Sequence, residues 1–464
     1  MQKNDLLVLR AESLGADMEG VCRHEGMAVF VPGLLPGEEA PVRIVRVEKR
    51  YAFGRLEAAP GHPSEARRDS DCPAYPRCGG CSARHISYEA SLEAKRQHVR
   101  DCFERIAHLP VEVPPTLGMA HPYAYRNKTA LPAGGSADEP LLGFFAPRSH
   151  RLIPALRCPN AMAPSGDIAC AVRDWMKEFR IAPYEEQSGA GLLRHAVIRV
   201  SREGPAMVTL VVRSLQVPHT EELISALRPL GVVSLYLNEN PRNTNVIFGD
   251  RFRLLFGRET LSDTLCGLRF ELSPASFFQI NPHQTETLYA TALAFAGPGP
   301  GDTVCDVYCG AGTISLMMAR HCRQVTGIEV VGPAVLNARE NAVRNGIENA
   351  AFHQGRAEDL LPRMVQSGLR PDIIVVDPPR KGLEPAVIDA VAQAEPKRVV
   401  YVSCNPATQA RDAALFHARG YQIRKIQPVD MFPFTSHVET VLLMSQQKPD
   451  DTIHVGIDLK PGAS

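Results

Sequence analysis

Residues 304–319 read VCDVYCGAGTISLMMA, an apolar run followed by a Gly-x-Gly turn and a helical stretch. The pattern predicts a buried strand, a tight turn at Gly310 and Gly312, and a helix. Strand-like and helix-like segments continue to alternate up to the strand-like run HVETVLLM, residues 437–444. This alternation predicts an α/β fold, with a Rossmann-like, doubly wound and mostly parallel sheet.

Carboxylates follow the first two predicted strands of this sheet. Asp306 ends the first strand, and Glu329 ends the second, 17 residues after Gly312. Ligands of such sheets bind at the carboxyl ends of the strands, where a carboxylate can accept hydrogen bonds from both ribose hydroxyls. The third glycine of a dinucleotide fingerprint is missing, which favours S-adenosylmethionine over NAD. The alternative is an ordinary tight strand–helix turn.

The third strand end carries a rigid turn, in DIIVVDPPRKGLE, residues 372–384. Asp377 starts this turn, and two prolines fix its backbone. Arg380 and Lys381 follow, where many amino-group methyltransferases carry an aromatic residue. This difference argues against methylation of an exocyclic amine and places positive charge near a possible phosphate. The alternative is a charged surface turn.

A thiol ends the next strand, in VVYVSCNPATQARD, residues 399–412. Methylation at C5 of uracil would need such a group, because a thiolate that adds to C6 makes C5 nucleophilic. A base must then remove the C5 proton, and Glu439 is a carboxylate within an apolar strand. The alternatives are packing for Cys404, since cysteine is often buried, and a salt bridge for Glu439.

Length and composition limit the number of domains and the kinds of partner that we expect. A chain of 464 residues predicts two or three domains. Lys plus Arg equals Asp plus Glu, 51 each, so any surface that binds nucleic acid must be local. The N-terminus lacks the pattern of a signal peptide, and no apolar stretch is long enough to span a bilayer. We therefore expect a cytoplasmic protein with no membrane association.

Three domains and a tail are expected from the pattern along the chain. Residues 1–63 alternate apolar and polar side chains between Gly/Pro turns, which predicts a small β-barrel. Residues 64–275 predict a central α+β domain, whose helix near 91–110 could pack on the catalytic domain. Residues 276–447 predict the doubly wound domain, and residues 448–464 a polar tail.

The predicted barrel also has a basic strand face, formed by Arg43, Arg46, Lys49, Arg50 and Arg55. This face is either a solvated charged surface or a surface that binds the RNA backbone.

A cysteine cluster opens the central domain, in CPAYPRCGGC, residues 72–81. The thiols of Cys72, Cys78 and Cys81 are close in sequence, and three thiolates need a fourth metal ligand. His85 and Cys158 are the candidates. The spacing departs from paired Cys-x-x-Cys, which disfavours a zinc ribbon and leaves zinc possible.

Four of these motifs, taken in order, resemble the RNA uracil-5-methyltransferases: DVYCGAGTISL, DPPRKG, YVSCNPAT and HVET. The segment FFQINPHQTETLY, residues 277–289, resembles the start of the family's catalytic domain. The resemblance implies that Cys404 is the nucleophile and Glu439 the proton acceptor. It implies that S-adenosylmethionine contacts Gln279, Tyr308, Glu329 and Asp377, and that Phe277 and Asn281 hold a uracil flipped out of its helix.

The resemblance extends to the two N-terminal parts. It implies Cys158 as the fourth ligand of a [4Fe–4S] cluster with Cys72, Cys78 and Cys81. The barrel with VPGLLPGE resembles a TRAM domain, which implies an OB-like RNA-binding module. This order is similar to that of the 23S ribosomal RNA uracil-5-methyltransferases, whereas transfer RNA members generally lack the first two parts. We therefore expect methylation of C5 of a uridine in 23S ribosomal RNA. The alternatives are a transfer RNA uracil-5-methyltransferase and a noncatalytic RNA-binding iron–sulfur protein. A radical methylase is disfavoured, because four cysteines leave no open iron.

Overall fold

The computed structural model describes residues 1–446, so the predicted tail at 448–464 lies outside the described residues. The N-terminal strands are β1 (Leu6–Leu14), β2 (Gly20–His24), β3 (Met27–Val31), β4 (Glu39–Val47) and β5 (Tyr51–Leu56). They close into a barrel in the order β1-β2-β3-β5-β4. Its interior is filled by alternating apolar side chains such as Val29, Val42 and Ile44, which are fully buried.

The basic face predicted on this barrel is partly neutralised. Arg43 and Arg55 lie 3.0 and 2.8 Å from a carboxylate oxygen of Glu57, and Arg46 pairs with Glu48. These pairs are largely exposed, and exposed pairs contribute little to stability. A phosphate could therefore displace the carboxylates at small cost.

The central region contains a mixed seven-stranded sheet. Helix α1 (Tyr88–Cys102) precedes the sheet and continues into a π-helical turn, Phe103–Ala107. The strands are β6 (Lys128–Gly135), β7 (Pro140–Phe145), β8 (Leu152–Pro154), β9 (Leu193–Val200), β10 (Ala206–Val212), β11 (Val232–Glu239) and β12 (Arg251–Gly257). Their order in the sheet is β12-β11-β10-β9-β6-β7-β8.

Two helices, α2 (Ser165–Glu178) and α3 (Thr220–Leu227), contribute to the apolar core on one face of this sheet. The hairpin of β13 (Leu261–Leu265) and β14 (Leu268–Leu272) follows the sheet in the chain.

The C-terminal region is the doubly wound domain. Its strands are β15 (Thr303–Val307), β16 (Gln324–Glu329), β17 (Ala350–Gln354), β18 (Ile373–Val376), β19 (Arg398–Ser403), β20 (Tyr421–Val429) and β21 (Glu439–Gln446). Its helices are α4 (Pro282–Ala296), α5 (Thr313–Ala319), α6 (Gly332–Arg344), α7 (Ala357–Gln366), α8 (Pro385–Ala394) and α9 (Pro406–His417). The strand order is β17-β16-β15-β18-β19-β21-β20, in which β21 runs antiparallel to both neighbours.

The strand order reverses between β15 and β18, and the carboxyl ends of the parallel strands meet at one edge there. Ligands of doubly wound sheets bind at such a switch point. Because β21 is antiparallel, its first residue, Glu439, also lies at this edge.

Helix α1 packs on the doubly wound domain. Val99 and Phe103 belong to the same buried apolar cluster as Val307 and Tyr401. On the same helix the Lys95 ammonium donates to Asp430 Oδ1 at 2.5 Å, and both side chains are fully buried. Within residues 1–446 we find no helix with the length and apolarity needed to cross a membrane.

Candidate active site

A cavity of about 1120 Å³ opens at the carboxyl edge of the parallel strands. It is lined by the turn after β15, the ends of β16, β18 and β19, the start of β21, and two loops before α4 and β21. Seven of the eight site residues predicted for this domain contribute to the lining: Phe277, Gln279, Tyr308, Glu329, Asp377, Cys404 and Glu439. The volume suits a nucleoside-sized ligand together with a second group.

The Gly-x-Gly turn packs closely against helix α6 and is held in a left-handed conformation. Tyr308 and Gly312 adopt left-handed backbone angles, with φ of 71° and 81°. A Cβ on Gly312 would lie 3.1 Å from the side chains of Ala338 and Phe352, so a larger residue would crowd helix α6. Glu329 fixes the same turn, because its two carboxylate oxygens accept from the amides of Gly310 at 3.1 Å and Val331 at 2.8 Å.

Asp306 lies beneath this turn and is fully buried. Its Oδ2 accepts from the Ser315 hydroxyl at 2.5 Å, which ties strand β15 to helix α5. Burial raises the pKa of Asp306 to about 6, although the Ser315 hydroxyl acts in the opposite direction. Asp306 therefore holds the turn in place from below.

Two carboxyl groups and a thiol face one another across the floor of the cavity. Burial raises the pKa of Asp377 to about 7, with a smaller contribution from Asp306. Burial also raises the pKa of Glu439 to about 8; Asp377 adds to the shift and Arg380 opposes it. Carboxyl groups in a cavity whose pKa values lie near neutral pH are typical of proton-transfer sites.

Cys404 is half-buried and opens into the cavity. Its pKa is raised, first by burial and then by Glu439 and Asp377, so the thiol holds its proton near neutral pH. The register of β19 with β21 pairs Ser403 with Thr440, which sets Cys404 beside Glu439.

The turn at residues 377–382 is hydrogen-bonded to the start of α9. Asn405 caps α9 by accepting from the Ala407 amide at 3.1 Å, and its Nδ2 donates to the Arg380 carbonyl at 3.1 Å. Gly382 has a φ of 80°, and a Cβ there would lie 2.5 Å from Asp412 Oδ2. Because Cys404 immediately precedes this cap, its position is fixed by both elements.

Phe277 and Asn281 are placed very differently. Phe277 is 74% exposed at the cavity mouth, where a flat ring is available for stacking. Asn281 is fully buried and is absent from the lining. Its side chain caps α4 by accepting from the Gln284 amide at 3.1 Å, and it donates to the Met431 carbonyl at 3.0 Å. The structure therefore places Asn281 behind the cavity wall, where it joins α4 to the loop before β21.

Several lining residues were missed from the sequence. Tyr289 is buried with its hydroxyl 3.3 Å from Thr313 Oγ1, and the rings of Phe432 and His437 lie 5.9 Å apart at the rim. Burial lowers the pKa of the His437 imidazole, and the positive charge of Arg380 lowers it further. His437 lies two residues before Glu439 in the motif HVET, and this position could have identified it as a lining residue from the sequence.

A second cavity, of about 250 Å³, is lined by all four predicted ligand cysteines, Cys72, Cys78, Cys81 and Cys158. The pKa of Cys78 is raised by burial and also by the three other thiols, so the four groups are mutually close. His85 is buried outside this lining and bonds to the Tyr75 hydroxyl. Within residues 1–446 no three His, Cys, Asp or Glu side chains are grouped closely enough to hold a single metal ion.

Comparison with known proteins decides the family. Residues 251–447 match the family described as tRNA (Uracil-5-)-methyltransferase, and residues 8–56 match the TRAM domain. An uncharacterized RNA methyltransferase of Halalkalibacterium halodurans is 41% identical over 96% of this chain and 98% of its own. The chain belongs to the RNA uracil-5-methyltransferase family. It is therefore an enzyme of a family that depends on S-adenosylmethionine, as its motifs predicted.

Two further relatives extend the comparison. An uncharacterized RNA methyltransferase of Clostridium tetani is 40% identical over 96% of this chain and 97% of its own. The crystal structure of the Pyrococcus abyssi tRNA (uracil-54, C5)-methyltransferase, in complex with S-adenosyl-L-homocysteine, has a TM-score of 0.76 and 27% identity. It covers 94% of this chain and 99% of its own. The predictions of a class I methyltransferase fold and an N-terminal TRAM barrel are confirmed.

Proposed function

We propose that this RNA uracil-5-methyltransferase methylates C5 of a uridine in 23S ribosomal RNA through a covalent bond between Cys404 and C6 of the base. One observation carries the mechanism: Cys404, Asp377 and Glu439 line the same cavity as the Gly-x-Gly turn after β15. A nucleophile, a proton acceptor and a nucleoside-binding turn at one place are the groups that C5 methylation needs.

The thiol acts first. Cys404 gives its proton to solvent as its sulfur adds to C6, which places negative charge on the ring and makes C5 nucleophilic. Bound S-adenosylmethionine would supply the electrophilic methyl group and leave as S-adenosyl-L-homocysteine. Glu439, in its ionised form, then accepts the C5 proton, and its raised pKa makes that carboxylate a stronger base. The electrons of the C5–H bond restore the C5–C6 double bond as the C6–S bond breaks, and Cys404 is released as a thiolate that takes up a proton from solvent.

The cofactor contacts follow from the cavity wall. Both oxygens of Glu329 already accept from backbone amides, yet each keeps a second lone pair, and Glu329 lines the cavity, so it can still accept from a ribose hydroxyl. Gln279, Tyr308 and Asp377 are the other proposed contacts. A sulfonium near Asp377 would favour the ionised carboxylate, because opposite charges stabilise each other in a buried site.

The base reaches this cavity by leaving its helix, and Phe277 at the mouth would stack on it. Asn281 supports the site indirectly, by holding α4 against the Met431 carbonyl. We therefore propose a positioning role for Asn281 in place of direct contact with the uracil.

Transfer RNA is the second candidate substrate, and the Pyrococcus abyssi relative supports it. That relative is named as a transfer RNA methyltransferase and covers 94% of this chain, so the presence of all three regions does not by itself separate ribosomal from transfer RNA enzymes.

We expect 23S ribosomal RNA from a strain lacking this protein to be short of one or more 5-methyluridines, which the purified protein restores. The measurement is mass mapping of nuclease fragments of ribosomal and transfer RNA, before and after treatment with the protein and S-adenosylmethionine. A deficit confined to transfer RNA would replace the ribosomal assignment with the second candidate.

We also propose that the four cysteines hold a [4Fe–4S] cluster. The donor set supports this: four free thiols line one cavity, Asn160 Nδ2 lies 3.4 Å from Cys81 Sγ, and Arg84 and Arg126 also line the cavity. Cationic and amide groups offset the negative charge of thiolates. Thiols that surround a cavity fit a cluster better than a single metal ion, whose ligands must converge on one point.

For the cluster, we expect anaerobically purified protein to contain about four iron and four sulfide per chain, as the cluster formula requires. Cys158→Ser should lower both, because it removes one ligand, whereas Cys170→Ser, at a half-buried thiol outside the cavity, should not. The measurement is metal and sulfide analysis with the absorbance spectrum. Stoichiometric zinc without iron would contradict the assignment.

A further inference from the structure

We propose that Arg84 is a positioning residue that fixes the active-site loop to the cysteine segment. The active-site loop is residues 430–438, between β20 and β21, and the cysteine segment is residues 72–84. Through this connection the order of the cysteine cavity sets the geometry of the methylation cavity. The inference rests on the proposed roles of Cys404 and Glu439, and it adds a structural cause for their placement.

The two segments are joined first by the backbone. The amides of Ser82 and Ala83, directly after Cys81, both donate to the carbonyl of Phe434, at 3.1 and 3.0 Å. Phe434 has a left-handed φ of 64°, which a bulky residue adopts only when its surroundings hold it there. The loop therefore depends on the cysteine segment for its shape.

Arg84 provides the second connection. Its guanidinium lies 4.4 Å from the centre of the Phe434 ring, and the residue is only 4% exposed. It donates to Asn160 Oδ1 at 2.5 Å and to Asp71. Because the guanidinium is planar, these two hydrogen bonds from its terminal nitrogens fix the orientation of the buried group.

Asn160 joins this network to the thiols. Its Nδ2 lies 3.4 Å from Cys81 Sγ and 3.5 Å from the Tyr125 hydroxyl, which in turn donates to the Pro433 carbonyl at 3.1 Å. Two side-chain routes, through Arg84 and through Tyr125, therefore lead from the cysteine cavity to neighbouring residues of the active-site loop. A change in the position of Cys81 would reach that loop through both.

The active-site loop in turn shapes the methylation cavity. Phe432 and His437 line it, and Glu439 follows the loop directly. From the other side, Lys95 of α1 donates to Asp430 at 2.5 Å and to the Phe432 carbonyl at 3.2 Å. The loop is thus anchored at its start by α1 and at its middle by Arg84, and displacement of the second anchor would move the rim that precedes Glu439.

The test is hydrogen exchange, read by mass spectrometry, on peptides that cover residues 430–438 of full-length protein as purified. Arg84→Met keeps the length and removes the charge and the hydrogen bonds. We expect exchange in this loop to become about tenfold faster or more, because a local anchor is lost. In steady-state kinetics kcat should fall while KM for S-adenosylmethionine changes less than about twofold, because the turn after β15 is untouched.

Arg157→Met is the matched control, because Arg157 lines the same cysteine cavity but pairs with Asp167 at the surface. Arg84→Lys keeps a cation near Phe434 and should show intermediate exchange, which also guards against a misfolded Met variant. Unchanged loop exchange in Arg84→Met, or equal acceleration in Arg157→Met, would overturn the proposal. Exchange does not depend on turnover, so a failure of the proposed methylation would be recognised separately.

Discussion

Cys404→Ala is expected to abolish methylation of uridine, with a loss of roughly 10⁴-fold or more, as is typical when a covalent nucleophile is removed. C5 of uracil is too weakly nucleophilic to react without addition at C6, and Cys404 is the thiol beside Glu439 at the floor of the cavity. Methyl transfer to RNA reports the rate. RNA with 5-fluorouridine at the target reports the bond itself, because fluorine cannot leave as a proton and the wild-type adduct should survive denaturing electrophoresis.

Cys322→Ala is the matched control for this substitution. Cys322 is a second cysteine of the doubly wound domain, and its buried thiol lies outside the cavity lining. It should keep both turnover and adduct. An adduct that persists undiminished in Cys404→Ala would show that another group attacks C6 and would end the proposed mechanism.

Glu439→Gln is expected to slow turnover by about 10²–10⁴-fold, the usual contribution of a general base. Glutamine has nearly the same shape and cannot accept the C5 proton, so addition and methyl transfer can occur while release of the base fails. We therefore expect a covalent complex with ordinary, unfluorinated RNA to accumulate in this variant in the presence of S-adenosylmethionine. Denaturing electrophoresis detects it, and mass spectrometry should find the methyl group on the trapped base.

The pH dependence of stability serves as a control for folding in this variant. The folded-state pKa of Glu439 is raised from 4.5 to about 8, so the fold favours the protonated carboxyl. Its contribution to stability is complete below about pH 4.5 and is lost as the pH rises through about 8. At about 1.4 kcal/mol per pKa unit, ionisation costs the wild type on the order of 5 kcal/mol above pH 8.

Glu439→Gln should therefore unfold at a higher temperature than the wild type at pH 9, with little difference at pH 5. A variant that is inactive but more stable at high pH has lost the proton acceptor and kept the fold. Wild-type turnover in Glu439→Gln would contradict its assignment as the base.

The sequence predicted the residues that line the cavity better than the residues behind its wall that hold them in place. Asp306, Glu329, Asp377 and Cys404 each follow an apolar run at the end of a predicted parallel strand, and such ends must meet at one edge of a doubly wound sheet. Strand–helix alternation is a local pattern, so it can be read without tertiary contacts. Asn281 shows what a motif leaves out: the resemblance implied a role in holding the uracil, and only the folded chain shows that its side chain caps α4 and bonds to Met431.

By itself the sequence determined the doubly wound domain, the barrel and the strand-end residues, because hydrophobic periodicity and turn chemistry act over a few neighbouring positions. Only the tertiary structure decided that β21 inserts antiparallel between β19 and β20 and brings Glu439 beside Cys404. It also decided the raised pKa values of the cavity carboxyls and the contact of Arg84 with Phe434. These features arise from burial and from pairing between segments far apart in the chain, on which local periodicity carries no information.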